Sequence, residues 1–182
     1  MKELLLLLIG SVVMNNCVLQ GYLGVTSVLG NAKTTRKCVV MGLAVTAVMV
    51  LTTLIAWPLH TFVLAPLSAE YLQIMAFVLI ILALVYALHA LVKKSCGKSL
   101  GVCLPLIAVN SAVLGVTLQN VSATFPQALV SALGAGIGLM VAMLLFAGVR
   151  SRLKEDAMPK AFRGLPADLM VGAVLAMAVM AF

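Results

Sequence analysis

The chain has 182 residues, of which 64% are hydrophobic and 9% are charged, and its mean hydropathy is +1.21. Charged residues approach a quarter of a water-soluble domain, so this composition excludes a soluble enzyme or binding domain and indicates a polytopic membrane protein. The formal net charge of +7 does not indicate nucleic-acid binding, because the basic residues lie between apolar segments and are not interleaved with aromatic residues.

Six apolar segments each reach the roughly 17 to 25 residues that are needed to cross a bilayer. They run approximately over Leu4–Gly30, Val39–Pro58, Tyr71–Val92, Leu100–Val121, Gln127–Val149 and Pro166–Phe182. The first segment is interpreted as a span and not as a cleavable signal, since Lys2 is balanced by Glu3 and no small-residue cleavage site follows. The sequence therefore predicts an all-α membrane protein with six transmembrane helices.

The basic residues are distributed very unevenly between the loops. Eleven of the twelve fall in the first, third and fifth loops: Lys33, Arg36, Lys37, Lys93, Lys94, Lys98, Arg150, Arg152, Lys154, Lys160 and Arg163. Only Lys2 lies on the opposite side. By the positive-inside rule these loops are cytoplasmic. We therefore expect a multi-pass protein of the inner, cytoplasmic membrane with both termini on the non-cytoplasmic side.

Polar, glycine-bearing stretches interrupt the first and fourth segments. The first interruption, Met14–Thr26, contains Asn15 and Asn16, and the second, Val109–Asn120, contains Asn110 and Ser111. An amide at membrane depth is costly because hydrocarbon offers it no hydrogen-bond partner. Two such interruptions at corresponding places in the two halves predict a midplane site built from broken helices.

The two halves also resemble each other in sequence. The stretch 15–19 is echoed by 110–114, and 42–45 by 138–141. Because each half has three spans, the second half must begin on the opposite side of the membrane. We therefore expect one integral membrane domain, 1–182, made of inverted 3+3 repeats at about 1–95 and 96–182, in which helices one and four are broken and the interruptions approach each other.

Two roles remain open for the amides. Asn15, Asn16 and Asn110 could cap broken helix ends and tie helices together, or they could also line a cofactor site or an ion path. The sequence places no acidic or basic residue deep in any span. That pattern argues against a stand-alone proton-coupled transporter and against a zinc or serine-type active site.

Four cysteines occur, without a CxxC spacing. Cys38 and Cys96 flank the basic loops, where a disulfide is not expected on the cytoplasmic side. Cys17 lies in the first interruption and Cys103 at the start of the fourth segment. A free cysteine in a membrane is usually a small apolar side chain, and Cys17 as a metal ligand is the alternative.

Several motifs, in order along the whole chain, resemble the RnfA/NqrE family, and the RnfA side of it more closely. They are 15–19 leading to Leu23-Gly24, 104–107 leading to 110–116, 145–150 and 159–164. This family comprises small six-helix membrane subunits of the Rnf and sodium-pumping NADH:quinone oxidoreductase complexes. The resemblance implies an inverted-repeat fold. It also implies a homologous partner subunit of opposite orientation, together with subunits that carry flavin and iron–sulfur groups.

The resemblance further implies a [2Fe-2S] cluster between the paired subunits, with two cysteine ligands from each. In this chain the family's two ligand positions are Thr26, after the Leu-Gly of the first interruption, and Ser111, after the asparagine of the second. A hydroxyl is a poor substitute for a thiolate on iron. Cys17 and Cys103 are the alternative thiols, but they lie nine and eight positions away from these sites.

Two functional hypotheses follow. In the first, the chain is an integral subunit of an Rnf-type ion-translocating oxidoreductase, which frames a transmembrane electron path and has no activity alone, since it contains no dinucleotide fingerprint. In the second, it is a divergent paralogue without the redox centre that acts as a small-solute or ion transporter or as a structural membrane subunit. The loss of both cluster ligands motivates the second hypothesis.

Overall fold

The structure is a computed structural model that describes residues 8, 10, 21, 23–25, 35–64, 66, 70–96, 110–153, 159 and 163–180. These residues form helices and turns, with no strand among them. Asn15, Asn16, Cys17, Thr26 and Cys103 lie outside the described residues.

Five α-helices cover most of the described chain. They are α1 (Thr35–Leu59), α2 (Gln73–Cys96), α3 (Ser111–Asn120), α4 (Phe125–Arg152) and α5 (Leu165–Met180). A π-helical turn, His60–Leu64, extends α1, and a 3₁₀ turn, Glu70–Leu72, leads into α2. Two helices, Cys38–Leu64 and Phe125–Arg152, are long and apolar enough to cross a membrane. They coincide with the second and fifth predicted segments.

The helices α1 and α4 pack against each other in antiparallel directions along a continuous seam. A Cβ atom at Gly42 would lie 2.7 Å from Met140 Cγ, and one at Gly136 would lie 2.5 Å from Thr46 Cγ2. A step of four residues along α1 is thus matched by a step of four back along α4. Glycine at these contacts lets the two backbones approach closely, as in other membrane helix pairs.

The same register continues to the end of the seam, where Trp57 meets Phe125 in an edge-to-face contact with ring centroids 5.1 Å apart. The indole Nε1 of Trp57 also donates to the carbonyl of Ala123 at 3.0 Å. Gly134 and Gly138 flank Gly136 on α4 and are buried with it. The seam therefore fixes α1 and α4 rigidly against each other over several turns.

The side chains divide sharply between a packed interior and an apolar exterior. Buried residues of α1 to α4 form one core, represented by Met49, Val85, Val113 and Leu139, to which Val171 of α5 contributes. Many large apolar side chains point outward, such as Met177 on α5. A surface this apolar would be unstable in water and is suited to contact with lipid or with neighbouring subunits.

One ion pair joins α4 to α5. Arg150 Nε lies 3.0 Å from Asp168 Oδ1, and the two side chains are 20% and 8% exposed. Asp168 also lies in the first turn of α5, where a negative charge favours the helix dipole. The last turn of α4 and the first turn of α5 are thereby held together at one end of the bundle.

Candidate functional site

The second interruption begins at Asn110, which caps a short helix. The Asn110 backbone is extended (φ −76°, ψ 112°), and its side-chain Oδ1 accepts the backbone N–H of Ala112 at 3.1 Å. The helix that follows, α3, has only 10 residues, about half the number that spans a bilayer. Asn110 therefore has the capping role that was one of its two expected roles, at the start of a short helix inside the fourth apolar segment.

The first interruption meets the second at this helix start. The backbone N–H of Gly24 donates to Ser111 Oγ at 2.9 Å, although 87 residues separate them in the chain. On the next turn of α3, a Cβ at Gly115 would lie 2.6 Å from Leu23 Cδ1. We call residues 23–24 together with 110–115 the junction. The sequence expectation that the two interruptions approach each other agrees with this contact.

Gly24 is required at the junction for two independent reasons. Its φ of +79° is in the left-handed region, which L side chains rarely adopt. A Cβ there would also lie 2.9 Å from Asn110 Oδ1, 3.0 Å from Ala112 Cβ and 3.2 Å from Leu139 Cδ1. The backbone at Gly24 thus packs tightly against the start of α3 and against Leu139 of α4.

The two polar side chains of the junction differ in their exposure. Asn110 is 2% exposed, and its side-chain Nδ2 is buried without a hydrogen-bond partner among the described residues. Ser111, the next residue, is exposed on the surface of the chain. Because Ser111 starts a 10-residue helix inside an apolar segment, its exposed face is not suited to lipid contact. The junction therefore buries Asn110 in the core and exposes Ser111 on the surface of the chain.

Polar groups farther along α3 are satisfied within the chain. Thr117 Oγ1 donates to the carbonyl of Val113 at 2.7 Å, and Asn120 Nδ2 donates to the carbonyl of Ala128 at 3.1 Å. The second bond ties α3 to the start of α4, whereas the first lies within α3. In α1, the hydroxyls of Thr52 and Thr53 are buried, and the part of the chain that the structure describes offers them no hydrogen-bond partner.

The cluster implied by the family resemblance can be tested against Ser111. The exposed position beside the other interruption suits a group shared with a neighbouring protein. The donor does not suit iron, because Ser111 offers a hydroxyl that already accepts the Gly24 N–H. Among the residues that the structure describes, no group of three or more His, Cys, Asp and Glu side chains could hold a metal. The described ligand position, Ser111, therefore does not offer the donor that a [2Fe-2S] cluster requires.

A described concavity at one end of the bundle is apolar. It is a groove of about 630 Å³ between the end of α4 and α5, lined by side chains such as Val149, Met170 and Val174. The described lining residues are all apolar. This part of the groove is therefore suited to apolar contacts.

Sequence reasoning found some of these features and missed others. Asn110 and Ser111 both lie at the junction, and their expected roles at a cofactor or cluster site stay predictions. Gly24 was recognised only as part of a motif, although its positive φ and its contacts with Asn110, Ala112 and Leu139 make it a required residue of the junction. The pairing of Arg150 with Asp168 was missed, and the only available signal was that each lies at a facing helix end.

Comparison with known proteins gives a consistent picture. The family described as "Rnf-Nqr subunit, membrane protein" matches residues 4–182. The A-type subunit of the ion-translocating oxidoreductase complex of Syntrophotalea carbinolica is 44% identical over 187 residues, covering 100% of this chain and 97% of the relative. The A-type subunit of the Na(+)-translocating ferredoxin:NAD(+) oxidoreductase complex of Acetobacterium woodii is 41% identical over 184 residues, covering 98% of this chain and 96% of the relative. The corresponding protein of Azoarcus sp. is 37% identical, with 100% and 97% coverage.

Proposed function

The chain belongs to the Rnf-Nqr family of membrane subunits, and from this premise we propose that it is the A-type subunit of an Rnf-type ion-translocating oxidoreductase complex. The similarity to A-type subunits over nearly the whole of both chains supports this role. It favours a component of a redox complex over a separate transporter. Electron transport and ion transport are then properties of the complex, and this chain contributes its membrane framework.

The proposed architecture has six spans arranged as inverted 3+3 repeats of about 1–95 and 96–182. Two features support it. The helices α1 and α4, which carry the echoed stretches 42–45 and 138–141, pack antiparallel in constant register. The interruptions of the first and fourth segments are in direct contact through Gly24 and Ser111. An inverted repeat would bring both pairs together in this way.

The proposed partner is a homologous six-helix subunit of opposite orientation that covers the outward side of the junction. The observation that carries this proposal is the exposure of Ser111 at the start of a broken helix inside an apolar segment. A neighbouring protein can offer hydrogen-bond partners that lipid cannot offer. Asn15, Asn16 and Asn110 would then line the protein side of the site, while other subunits carry flavin and iron–sulfur groups.

The proposed orientation places both termini on the non-cytoplasmic side of the inner membrane, with Arg150 and Arg152 at the cytoplasmic surface. Their place at the end of α4 supports this orientation, because arginines at the end of an apolar span favour the cytoplasmic side. Labelling of single cysteines at position 152 and at the amino terminus in intact cells tests it. Only the terminal cysteine should react with a membrane-impermeant reagent.

The complex itself is tested by gentle purification through a tag on this chain, followed by mass spectrometry. A homologous six-span subunit should co-purify in equal amount, together with flavin-carrying and iron–sulfur subunits. Deletion of the chain should abolish redox-driven ion uptake in membrane vesicles. A chain purified without any homologous membrane subunit, from cells in which ion uptake persists after its deletion, would contradict the proposed function.

A further inference from the structure

We infer that this chain supplies no ligand to an iron–sulfur cluster, and that its junction is instead closed by the hydrogen bond between Ser111 and Gly24. The inference rests on the proposed function, since a shared cluster has meaning only if the chain pairs with a homologous subunit. It concerns what this particular chain contributes to that pair.

Ser111 is accessible at the surface of the chain, so the question is whether its side-chain oxygen can bind iron. Ser111 lies on the surface of the chain at the first position of α3, and its neighbour across the junction is Gly24. Thr26 follows Gly24 by two residues in the sequence. A group held at this place would lie between the two subunits. The chain therefore presents hydroxyl oxygens, and not sulfur atoms, at the two positions where a shared group would be held.

Those atoms bind iron poorly. Cysteine ligates metals as a thiolate, which is accessible because a thiol has a pKa of about 8.5. An aliphatic hydroxyl keeps its proton at neutral pH and is a weak ligand for the soft, sulfur-bridged irons of a cluster. The Ser111 oxygen already accepts the Gly24 N–H at 2.9 Å. This bond satisfies a backbone donor that the broken first segment would otherwise leave unpaired.

The backbone at Gly24, which donates to Ser111, is closely packed. The space beside the Gly24 α-carbon is bounded within 2.9 to 3.2 Å by Asn110, Ala112 and Leu139. Cys38, the cysteine of the described core, is fully buried near the start of α1, whereas Ser111 is exposed. Hydroxyls at 26 and 111 are thus not compensated by a thiol of the described core.

The test compares the iron and acid-labile sulfide content of the whole complex, purified through a tag on this chain from cells grown on ⁵⁷Fe. The native complex is compared with two variants. T26V/S111A removes both hydroxyls, and C17A/C103A removes the two alternative thiols. Peripheral subunits contribute the same iron to all three samples. A ligand role for this chain would therefore appear as a difference of two irons per complex.

We expect equal iron and sulfide per complex in all three samples, with the homologous partner present in each. A loss of two irons in T26V/S111A would overturn the inference by showing that the hydroxyls hold a cluster, and the same loss in C17A/C103A would overturn it through the thiols. Mössbauer spectra of the native complex give a second readout that does not depend on any variant. Iron with an alkoxide ligand in those spectra would also overturn it.

Failure of the proposed function has a different signature. In that case the homologous partner is missing from every sample, including the native one, whatever the iron content. A complex that contains the partner but loses iron in a variant contradicts only the present inference.

Discussion

The α1–α4 seam and the Gly24–Ser111 junction both bring distant parts of the chain into close contact, but they do so in opposite ways. The seam is regular: helical backbones meet in constant register, and small residues set the spacing. The junction is irregular: the backbone N–H of Gly24, which has a positive φ, donates to Ser111, the first residue of the short helix α3. Regular helices satisfy their own backbone groups, whereas the junction must satisfy them across the chain. The seam therefore provides rigidity, and the junction provides a place where polar groups reach the surface of the chain.

The largest effect is expected from breaking the seam at Gly136. The Cβ of a Gly136→Val variant would lie 2.5 to 2.8 Å from three side-chain atoms of Thr46, which is itself bonded to the Gly42 carbonyl at 2.7 Å. Because Thr46 could move aside only by giving up this bond, we expect a loss of about 3 kcal/mol or more. Thermal unfolding of the purified complex measures it. Gly148→Val, on the same helix with nothing within 4 Å, is the control. Equal losses in both variants would contradict the close approach.

At the junction, Gly24→Ala should lose about 2 to 3 kcal/mol, because left-handed backbone strain adds to overlap with Asn110, Ala112 and Leu139. Gly164→Ala separates the two causes. Gly164 has a similar φ of +85° but no atom within 4 Å of the added Cβ, so only the strain of about 1 to 2 kcal/mol should remain. Unfolding midpoints of the two variants give the difference. A Gly164 variant that is as unstable as the Gly24 variant would show that overlap at the junction contributes nothing.

The Arg150–Asp168 pair provides a charged contact for comparison with the neutral junction. Asp168→Asn should lower stability by about 1 to 3 kcal/mol, since a hydrogen-bonded charge loses its partner. The double variant Arg150→Gln/Asp168→Asn should be less unstable than the sum of the two single variants. A double-mutant cycle on the purified complex measures the coupling. Strict additivity would show that the ion pair contributes no interaction energy.

The smallest effect is expected at the hydrogen bond of the junction. Ser111→Ala should cost about 0.5 to 1.5 kcal/mol, because the Gly24 N–H loses its acceptor. Ser122→Ala is a matched control on an exposed serine, whose hydroxyl bonds only to the local carbonyl of Gln119. Its effect should stay within about 0.5 kcal/mol. Hydrogen exchange at Gly24 should also accelerate in Ser111→Ala and remain unchanged in Ser122→Ala.

The sequence predicted the parts of this structure that depend on composition and periodicity. Apolar runs of the right length located α1 and α4, and the family motifs identified the class of membrane protein. Asparagine before a helical run predicted the cap at Asn110, since an extended backbone and a side-chain acceptor are what a helix start requires. The interruptions were recognisable because amides are rare at membrane depth.

Contacts between distant positions were harder to predict. Nothing local distinguishes Gly136 from its buried neighbours Gly134 and Gly138, and only the register of α1 against α4 selects it for the closest contact with Thr46. The pairing of Arg150 with Asp168 likewise depends on how α5 folds back. Side-chain identity gave the chemistry available at the junction, while its geometry required the backbone path.

The most direct test of this account places a photo-cross-linking amino acid at position 111 in the assembled complex. We expect a cross-link to a homologous six-helix subunit of opposite orientation, because Ser111 is exposed where Gly24 meets the start of α3. Cross-linking that yields only lipid adducts from an intact, active complex would contradict it, since the junction would then not face a partner protein.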